Sequence, residues 1–277
     1  MPELPEVETV RCGLIPVLEG ATLKKAITRR EGLRIPFPTD FTERLEGNTI
    51  ERLRRRSKYI LLDCVDGLVV ILHLGMSGRV TIYKEGEDPI IGKHDHVSLI
   101  TEKGDHIVYT DPRRFGLITF TDINTMDNHA LLKNIGPEPL GNTFNTALLD
   151  ARLIGKKSSI KSALLDQTLV AGLGNIYVCE ALWRAGINPT RTGNSVAGKG
   201  AARLVPIIRD VLSEAIAAGG STLKDYAQAD GELGYFQHSF NVYGREGEDC
   251  SNKACGGTIE RIVQSNRSTF FCPKCQQ

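Results

Sequence analysis

Four cysteines near the end of the chain constrain its fold more than any other feature. Cys250 and Cys255 are separated by four residues, Cys272 and Cys275 by two, and sixteen residues lie between the pairs. Two close pairs of thiolates on opposing hairpins can form a tetrahedral site, which zinc prefers when its ligands are cysteines. We expect one structural Zn²⁺ ion here, because the protein fills all four positions and leaves none open for catalysis.

The other cysteines and the N-terminus indicate the compartment. Cys12, Cys64 and Cys179 are scattered, and the odd total of seven cysteines argues against a closed disulfide framework. Clustered cysteines in a reducing compartment bind metal more often than they form disulfides. No apolar run approaches the ~20 residues of a membrane-spanning helix. Glu3 and Glu6 stand where a signal peptide would carry basic and then apolar residues. We therefore expect a cytoplasmic protein with no membrane segment.

Hydrophobic patterning in the first half predicts one helix followed by many short strands. Val7, Val10, Leu14 and Val17 recur at spacings of three and four, as on one helix face. Pro16 is expected to bend or end that helix. Short β-forming runs separated by turn residues are typical of a sandwich or barrel. The predicted strands are Thr22–Ile27, Thr49–Leu53, Tyr59–Leu62, Leu68–Leu74, Arg79–Tyr83, Val97–Ile100, His106–Thr110 and Gly116–Thr121.

The pattern changes at a Gly/Pro linker, residues 134–141, beyond which the chain is mainly helical. This order predicts an α+β protein with an N-terminal β-sandwich domain over residues 1–133, which begins with a helix. A helical domain follows over residues 134–240, and the metal module occupies residues 241–277. The predicted helices of the second half are Thr146–Leu153, Ile160–Leu165, Ile176–Ala185 and Ala197–Ala218.

The net charge argues against binding to nucleic acid, whereas the local distribution of charge favours it. The formal net charge is only +1, whereas nucleic-acid-binding domains are usually strongly basic. Locally, however, residues 52–58 hold five basic side chains and no acidic one, and Lys156, Lys157 and Lys161 form a second cluster. Such runs are commonly solvated surface. The alternative is a phosphate-binding face whose affinity falls steeply with salt.

Pro2 would give the chain a nucleophilic N-terminus. Methionine aminopeptidase removes Met1 before a small residue such as proline, which leaves a secondary amine. An α-amino group has a pKa of about 7.7–8.0, so part of it is deprotonated at neutral pH. Attack of a secondary amine on an aldehyde carbon forms an iminium cation, which withdraws electrons. Glu3 and Glu6 lie beside the amine in sequence and could donate or relay protons. In most proteins, however, a proline here has no chemical role.

A series of short motifs runs in order along almost the whole chain. They are MPELPEVET at residues 1–9, RSKY at 56–59, HLGMSG at 73–78, KHDHV at 93–97, DPRRFG at 111–116, IK at 160–161, GLGNIY at 172–177, GGSTLKD at 219–225 and the cysteine module. Together they resemble the formamidopyrimidine-DNA glycosylases, bifunctional enzymes that remove oxidised purines such as 8-oxoguanine from DNA. The resemblance implies a monomer that binds damaged double-stranded DNA in base excision repair.

The resemblance also refines the expected architecture. It implies that the helical domain contains a helix–two-turns–helix element and that the cysteine module is a zinc-ribbon finger. The sister branch of endonuclease-eight-like enzymes typically has glycine where Leu4 stands. It also lacks the wedge of three residues that Met76, Arg113 and Phe115 match, so the chain is more similar to the oxidised-purine branch. One departure is visible, because the first cysteine pair usually has two intervening residues in the family. The resemblance therefore predicts the number of cysteine ligands but not the shape of the turn between Cys250 and Cys255.

The resemblance assigns chemistry to four residues. Pro2 would attack the sugar C1′ and displace the damaged base, with Glu3 as the proton donor that helps to open the sugar ring. Lys58 is the residue that the family associates with β-elimination of the 3′ phosphate. Arg267 matches the proton donor of a second, δ-elimination. Without the resemblance, Lys58 would be interpreted as an exposed lysine at a strand end.

The resemblance assigns DNA contacts to a further set of residues. Met76, Arg113 and Phe115 match a triad that fills the gap left when a nucleotide is flipped out of the duplex. The alternative for Met76 and Phe115 is ordinary core packing. Residues 219–235 match a loop that the family folds over the flipped base. The remaining predicted contacts are His94, Lys156, Lys161 and Asn175.

Two alternatives to this enzyme remain open at the level of sequence. A degenerate relative could recognise damaged DNA without cutting it, but such a protein would be expected to lack Pro2, Glu3 or Lys58. An enzyme of the same class could instead act on oxidised pyrimidines. Borohydride trapping with 8-oxoguanine opposite cytosine would distinguish the first alternative, and relative excision rates on purine and pyrimidine lesions would distinguish the second.

Overall fold

The computed structural model describes residues 2–221 and 234–277. The chain divides into two compact units. The first unit comprises Met1–Lys133 with Ala218–Tyr235, and the second comprises Asn134–Ala217 with Phe236–Gln277. Within the described ranges, no helix combines the length and the apolar character needed to cross a membrane.

The described part of the first unit contains two four-stranded antiparallel sheets. All eight predicted strands are confirmed, with ends that differ from the prediction by a few residues at most. Helix α1 (Leu4–Leu18) precedes them, and a five-residue helix α2 (Phe41–Leu45), which the sequence did not predict, follows the first strand. The strands are β1 (Leu23–Thr28), β2 (Ile50–Arg56), β3 (Tyr59–Cys64), β4 (Leu68–His73), β5 (Arg79–Tyr83), β6 (Asp95–Thr101), β7 (His106–Thr110) and β8 (Leu117–Asp122).

The two sheets share one hydrophobic core with a face of α1. The strand orders are β1-β6-β7-β5 and β2-β3-β4-β8. Leu14 of α1, Leu62 and Val70 of one sheet, and Ile107 of the other belong to a single cluster of buried side chains. Burial of each such side chain contributes about 1.5–3 kcal/mol to folding. The predicted sandwich is thus confirmed, and α1 is fixed to it along the predicted apolar face.

Helix α1 begins and ends at sequence signals. Glu3 is the N-cap residue, and Pro5 lies in the first turn, where a missing N–H costs little. Pro16 lies in the last turn, and the helix ends two residues later at Leu18. Gly20 follows with a φ of +77°, a backbone conformation that favours glycine.

The described part of the second unit contains five α-helices. The predicted helix over Ala197–Ala218 is confirmed to within two residues, and it begins just after Gly198, which has a φ of +72°. A short helix that was not predicted precedes it at residues 193–196. Three helices have side-chain caps, from Asn145, Ser159 and Thr192. The helices are α3 (Thr146–Leu153), α4 (Ile160–Leu165), α5 (Asn175–Arg184), α6 (Gly193–Val196) and α7 (Lys199–Ala217).

A two-stranded hairpin lies within the cysteine module. Strands β9 (Glu260–Gln264) and β10 (Arg267–Phe271) are antiparallel, and Arg267 pairs with Gln264. The two turn residues, Ser265 and Asn266, have φ values of 48° and 59°, as expected for a tight turn that matches the twist of a hairpin. Arg267 is therefore the first residue after the tip of the hairpin.

Candidate active site and metal centre

The start of α1 holds the predicted nucleophile and its neighbour in a buried environment. Pro2 and Glu3 are both buried, and Glu3 is only 3% exposed. The backbone N–H of Glu3 donates to Oε2 of Glu6 at 2.8 Å. This bond uses the free N–H at the start of the helix, as in a capping box, and it fixes the backbone next to Pro2.

Glu6 has a second set of partners from a distant part of the chain. Its Oε1 accepts hydrogen bonds from the backbone nitrogen and the hydroxyl of Ser221, each at 2.9 Å. A Cβ on Gly220, which has a φ of +78°, would lie 3.1 Å from Cγ of Glu6, so the backbone approaches closely. The sequence suggested Glu6 as a proton relay. In the structure, its carboxylate fixes the backbone of Glu3 and Ser221. Ser221 received no assigned role from the sequence.

Lys58 lies in the two-residue turn between β2 and β3 and is only 8% exposed. The preceding Ser57 is buried and has a φ of 55°, which the tight turn requires. Lys58 is thus not a solvated lysine at a strand end. Burial, followed by the charges of Lys58 and Arg34, lowers the pKa of His73 to about 4.

His73 is a functional candidate that the sequence analysis left without a role. Because its pKa is low, the ring is neutral at pH 7, and Nδ1 accepts a hydrogen bond from the backbone N–H of Gly75 at 2.9 Å. The ring also packs against Tyr59, with 5.0 Å between ring centroids. His73 therefore joins the Lys58 turn to the loop that carries Met76. Its position in the HLGMSG motif, next to the loop of Met76, is the sequence feature that could have indicated a role for it.

The basic run at residues 52–58 is partly compensated by two acidic side chains. Arg54 contacts Asp63 at 2.5 Å, Arg52 contacts the same carboxylate at 3.2 Å, and Arg55 contacts Glu8 at 2.8 Å. The predicted phosphate-binding cluster is therefore less positive than its sequence indicates, because these partners lie outside the run. Basic side chains that already hold carboxylates attract phosphate less strongly.

The predicted wedge residues lie on two loops of the first unit. Met76 is partly buried in the loop after β4, while Arg113 and Phe115 are exposed in the loop before β8. Phe115 is 46% exposed, which is unlike a core phenylalanine, and the Arg113 guanidinium lies 5.1 Å from the centre of its ring. His94 is also exposed, just before β6.

Lys161, predicted on the DNA surface, is instead completely buried. Its ammonium donates to the backbone oxygen of Ser268 at 2.9 Å and to the hydroxyl of Thr269 at 2.7 Å. The side-chain amide of Asn175 donates to the same Ser268 oxygen at 2.9 Å. Such a buried ammonium has its hydrogen bonds satisfied within the protein and is not placed to contact phosphate. Lys161 and Asn175 thus hold the strand that starts at Arg267.

The other predicted residues of the second unit are accessible. Arg267 is exposed. Lys156 is partly exposed and forms an ion pair with Asp166 at 3.3 Å. Asn175 is partly exposed and is the first residue of α5.

The four clustered cysteines have the geometry of a zinc site. Their sulfur atoms all lie within 4.8 Å of one another. The Sγ atoms of Cys250 and Cys275 are 3.7 Å apart, and those of Cys255 and Cys272 are 3.5 Å apart. Four sulfurs at about 2.3 Å from a tetrahedral zinc ion would be about 3.8 Å apart. The donor set therefore fits one zinc ion.

Comparison with protein families accounts for nearly all of the chain. Residues 1–118 match the formamidopyrimidine-DNA glycosylase N-terminal domain, and residues 135–227 match the formamidopyrimidine-DNA glycosylase H2TH domain. Residues 250–277 match a zinc finger found in FPG and IleRS. The chain belongs to the formamidopyrimidine-DNA glycosylase family. The resemblance noted from its motifs is thereby confirmed.

Individual relatives agree with this family over their full lengths. The chain is 57% identical over 283 residues to the formamidopyrimidine-DNA glycosylase of Jannaschia sp. strain CCS1, with all of both chains covered. It is also similar to a mutant of Lactococcus lactis FPG in complex with a Fapy-dG containing DNA, with 36% identity and a TM-score of 0.91. It is similar as well to a complex of Lactococcus lactis Fpg with an abasic site containing DNA, with 35% identity and a TM-score of 0.90. Both structural comparisons cover all of each chain.

This member of the formamidopyrimidine-DNA glycosylase family retains a complete zinc finger. The longer first cysteine pair forms a turn in which Cys255 N–H donates to the oxygen of Asn252 at 2.8 Å, and the ligand count is preserved. The predicted zinc cofactor is confirmed as one that the four cysteines can hold. Most of the predicted loop over residues 219–235 lies outside the described residues, at positions 222–233.

Proposed function

We propose that this chain is a bifunctional enzyme that excises oxidised purines from duplex DNA and then cleaves the abasic site by β,δ-elimination. The observation that carries the proposal is the buried Pro2, which is adjacent to a backbone fixed by Glu3 and Glu6. A flexible proline at the end of a chain would be a poor nucleophile, because ordering it would cost entropy at each turnover. The relatives named for glycosylase activity and for complexes with damaged DNA support the substrate class.

In the glycosylase step, the Pro2 nitrogen forms a bond to C1′ of the flipped nucleotide while the bond from C1′ to the base breaks. The base leaves with the electron pair of that bond and takes up a proton, and the nitrogen loses its N–H proton. Glu3 donates a proton as the sugar ring opens, and the electron pair of the ring C–O bond stays on the oxygen. The nitrogen and C1′ then share an iminium double bond. The positive charge of this intermediate acidifies the proton on C2′.

In the lyase steps, loss of the C2′ proton expels the 3′ phosphate, and a second elimination expels the 5′ phosphate. Water hydrolyses the remaining iminium and regenerates the Pro2 amine. Lys58, buried in its tight turn, is assigned to the first elimination, and the exposed Arg267 is assigned as proton donor in the second. Zinc supplies no step, because all four of its positions are occupied by cysteines.

The DNA contacts follow the same assignment. Met76 and Phe115 fill the gap in the base stack, and Arg113 pairs with the cytosine left without its partner. His94, Lys156 and Asn175 bind the DNA backbone, where a helix N-terminus such as that of α5 favours a phosphate. We expect a monomer that acts on double-stranded DNA in the bacterial cytoplasm.

The test is a duplex with one 8-oxoguanine opposite cytosine, incubated with the purified protein with and without borohydride. The proposal expects a strand break with phosphate at both ends, and a covalent protein–DNA adduct when borohydride reduces the iminium. A version with an uncleaved N-terminal tag is the matched control, because a blocked amine cannot form the adduct. Full base excision by the tagged protein would refute the role of Pro2, and absence of excision by the untagged protein would refute the function.

A further inference from the structure

One buried carboxylate joins the two loops that carry the wedge residues. Asp111 is completely buried. Its Oδ1 accepts a hydrogen bond from the Ser77 hydroxyl at 2.6 Å, and its Oδ2 accepts one from the backbone N–H of Gly116 at 2.8 Å. Ser77 belongs to the loop between β4 and β5, whereas Asp111 and Gly116 belong to the loop between β7 and β8. The carboxylate therefore bonds to both loops at once.

Ser77 extends this link to Arg113. Its hydroxyl donates to Asp111 and also accepts a hydrogen bond from the backbone N–H of Arg113 at 3.1 Å. Met76 directly precedes Ser77 in the chain, and Phe115 directly precedes Gly116. Arg113 is thus bonded to this network through its backbone N–H. Met76 and Phe115 are each next to a residue that belongs to the network.

The two loops also contact each other without room for side chains. A Cβ added to Gly75 would overlap the backbone of Phe115 and Gly116, and one added to Gly116 would overlap the Tyr109 hydroxyl. The same hydroxyl lies 3.4 Å from Oδ2 of Asp111. Close-packed groups of this kind have few alternative arrangements, so the loops move together if they move at all.

Burial of a carboxylate is costly unless it is hydrogen-bonded, and Asp111 accepts bonds from the Ser77 hydroxyl, the Gly116 N–H and the Tyr109 hydroxyl. Phe115, by contrast, remains 46% exposed. The fold thus uses a buried charge to fix loops whose apolar side chain is left in water. That arrangement suits a binding surface that must be preformed.

We propose that Asp111 and Ser77 are positioning residues that hold Met76, Arg113 and Phe115 as one rigid wedge, and that this rigidity lets Arg113 distinguish cytosine from adenine opposite the lesion. The inference rests on the proposed function, because it concerns how the wedge enters damaged DNA. Neither residue touches the reacting atoms. A wedge with independent loops would still insert, but Arg113 would be placed less accurately against the opposite base.

The test compares Ser77→Ala with Ser98→Ala in single-turnover excision of 8-oxoguanine opposite cytosine and opposite adenine. Ser98 is a matched control, since it is a buried serine of the same unit whose hydroxyl accepts a hydrogen bond from Arg29 at 2.9 Å. Ser98 lies on β6, outside both loops. Urea unfolding of each variant measures the structural cost separately.

For Ser77→Ala we expect excision opposite cytosine to slow about 10-fold, the usual effect of losing one buried hydrogen bond to a carboxylate. The preference for cytosine over adenine should fall as well, while Ser98→Ala leaves that preference unchanged. Asp111→Asn should have a larger effect, because an amide cannot accept from both loops. If that variant fails to fold, Ser77→Ala alone decides.

Equal preferences in Ser77→Ala, Ser98→Ala and the wild type would overturn the inference. A loss of activity that only tracks the loss of stability in both serine variants would overturn it too. These outcomes are distinct from failure of the proposed function, in which the wild-type protein itself would not excise 8-oxoguanine.

Discussion

The carboxylate of Glu6 holds Ser221 by two hydrogen bonds, from the backbone nitrogen and from the hydroxyl, each 2.9 Å long. Its other oxygen holds the backbone of Glu3 at 2.8 Å. One side chain thus fixes the residue next to Pro2 and the residue just before positions 222–233. Glu6 belongs to the first turn of α1, where a carboxylate is also favoured by the helix dipole.

We predict that Glu6→Gln slows base excision by about 10-fold or more, since hydrogen bonds to a charged group are worth about 1.5–3 kcal/mol. Glutamine has one acceptor oxygen, so its NH₂ group must face either Glu3 N–H or the Ser221 donors. Ser221→Ala is the milder control, because it retains the bond from the Ser221 backbone. Single-turnover excision measures both. An excision rate that is unchanged in Glu6→Gln, or that falls further in Ser221→Ala than in Glu6→Gln, would show that Glu6 does not have this role.

The two lysines of the second unit should respond differently to substitution. Lys156→Met is expected to reduce the slope of log Kd against log salt concentration by about 0.9, the value for one lost phosphate contact. Lys161→Met should leave the slope unchanged but lower the free energy of unfolding by about 1–3 kcal/mol, because the Ser268 and Thr269 oxygens lose a buried donor. Fluorescence anisotropy over a range of salt concentrations, together with urea unfolding, separates the two effects. A smaller slope of log Kd against log salt concentration in Lys161→Met would show that Lys161 does contact DNA.

The zinc centre is expected to contain one ion per chain with four sulfur ligands. X-ray absorption should show Zn–S distances of about 2.3 Å and no nitrogen or oxygen ligand. Cys255→Ala should lose the metal and with it DNA binding, since the β9–β10 hairpin lies between the two cysteine pairs. Cys12→Ala, which changes an exposed cysteine of the first unit, is the control and should keep one zinc. Retention of a full zinc equivalent in Cys255→Ala would be inconsistent with this centre.

His73 should make stability depend on pH. Its pKa is about 4 in the folded chain and 6.5 ordinarily, so between these values the unfolded state binds the extra proton. The stability from neutral His73 is therefore present above pH 6.5 and is lost as pH falls toward 4. Between pH 7.5 and 5.0 this amounts to about 2 kcal/mol.

His73→Asn provides the comparison, because its side-chain oxygen can still accept from Gly75 but does not titrate. Urea unfolding at the two pH values should show a smaller loss in the variant than in the wild type, by about the amount given above. Contributions from other groups are common to both proteins and cancel in this difference. Equal losses in the two proteins would show that His73 does not carry the effect.

The sequence predicted those features that depend on local pattern. Alternating or periodic apolar residues located the eight strands of the first unit and, to within a few residues, most of the helices. Cysteine spacing predicted the metal centre without any knowledge of the fold. Helix α2 was missed, because Phe41–Leu45 is too short to show a helical period.

The features that were missed depend on contacts between distant residues. Lys161 was interpreted as a surface lysine because its partners are 107 and 108 positions away. The bond between Glu6 and Ser221 spans 215 positions. The basic run at residues 52–58 looked strongly positive because Asp63 and Glu8, which neutralise part of it, lie outside the run. Residue type alone does not reveal such pairings.

Mapping of the covalent adduct identifies the nucleophilic atom, which we expect to be the nitrogen of Pro2. The protein is trapped on duplex DNA containing 8-oxoguanine with borohydride, digested with nuclease and trypsin, and analysed by tandem mass spectrometry. We predict that the sugar remnant lies on the peptide of residues 2–11, at the nitrogen of Pro2. A remnant located on the side chain of Lys58, or on any other lysine, would contradict this prediction.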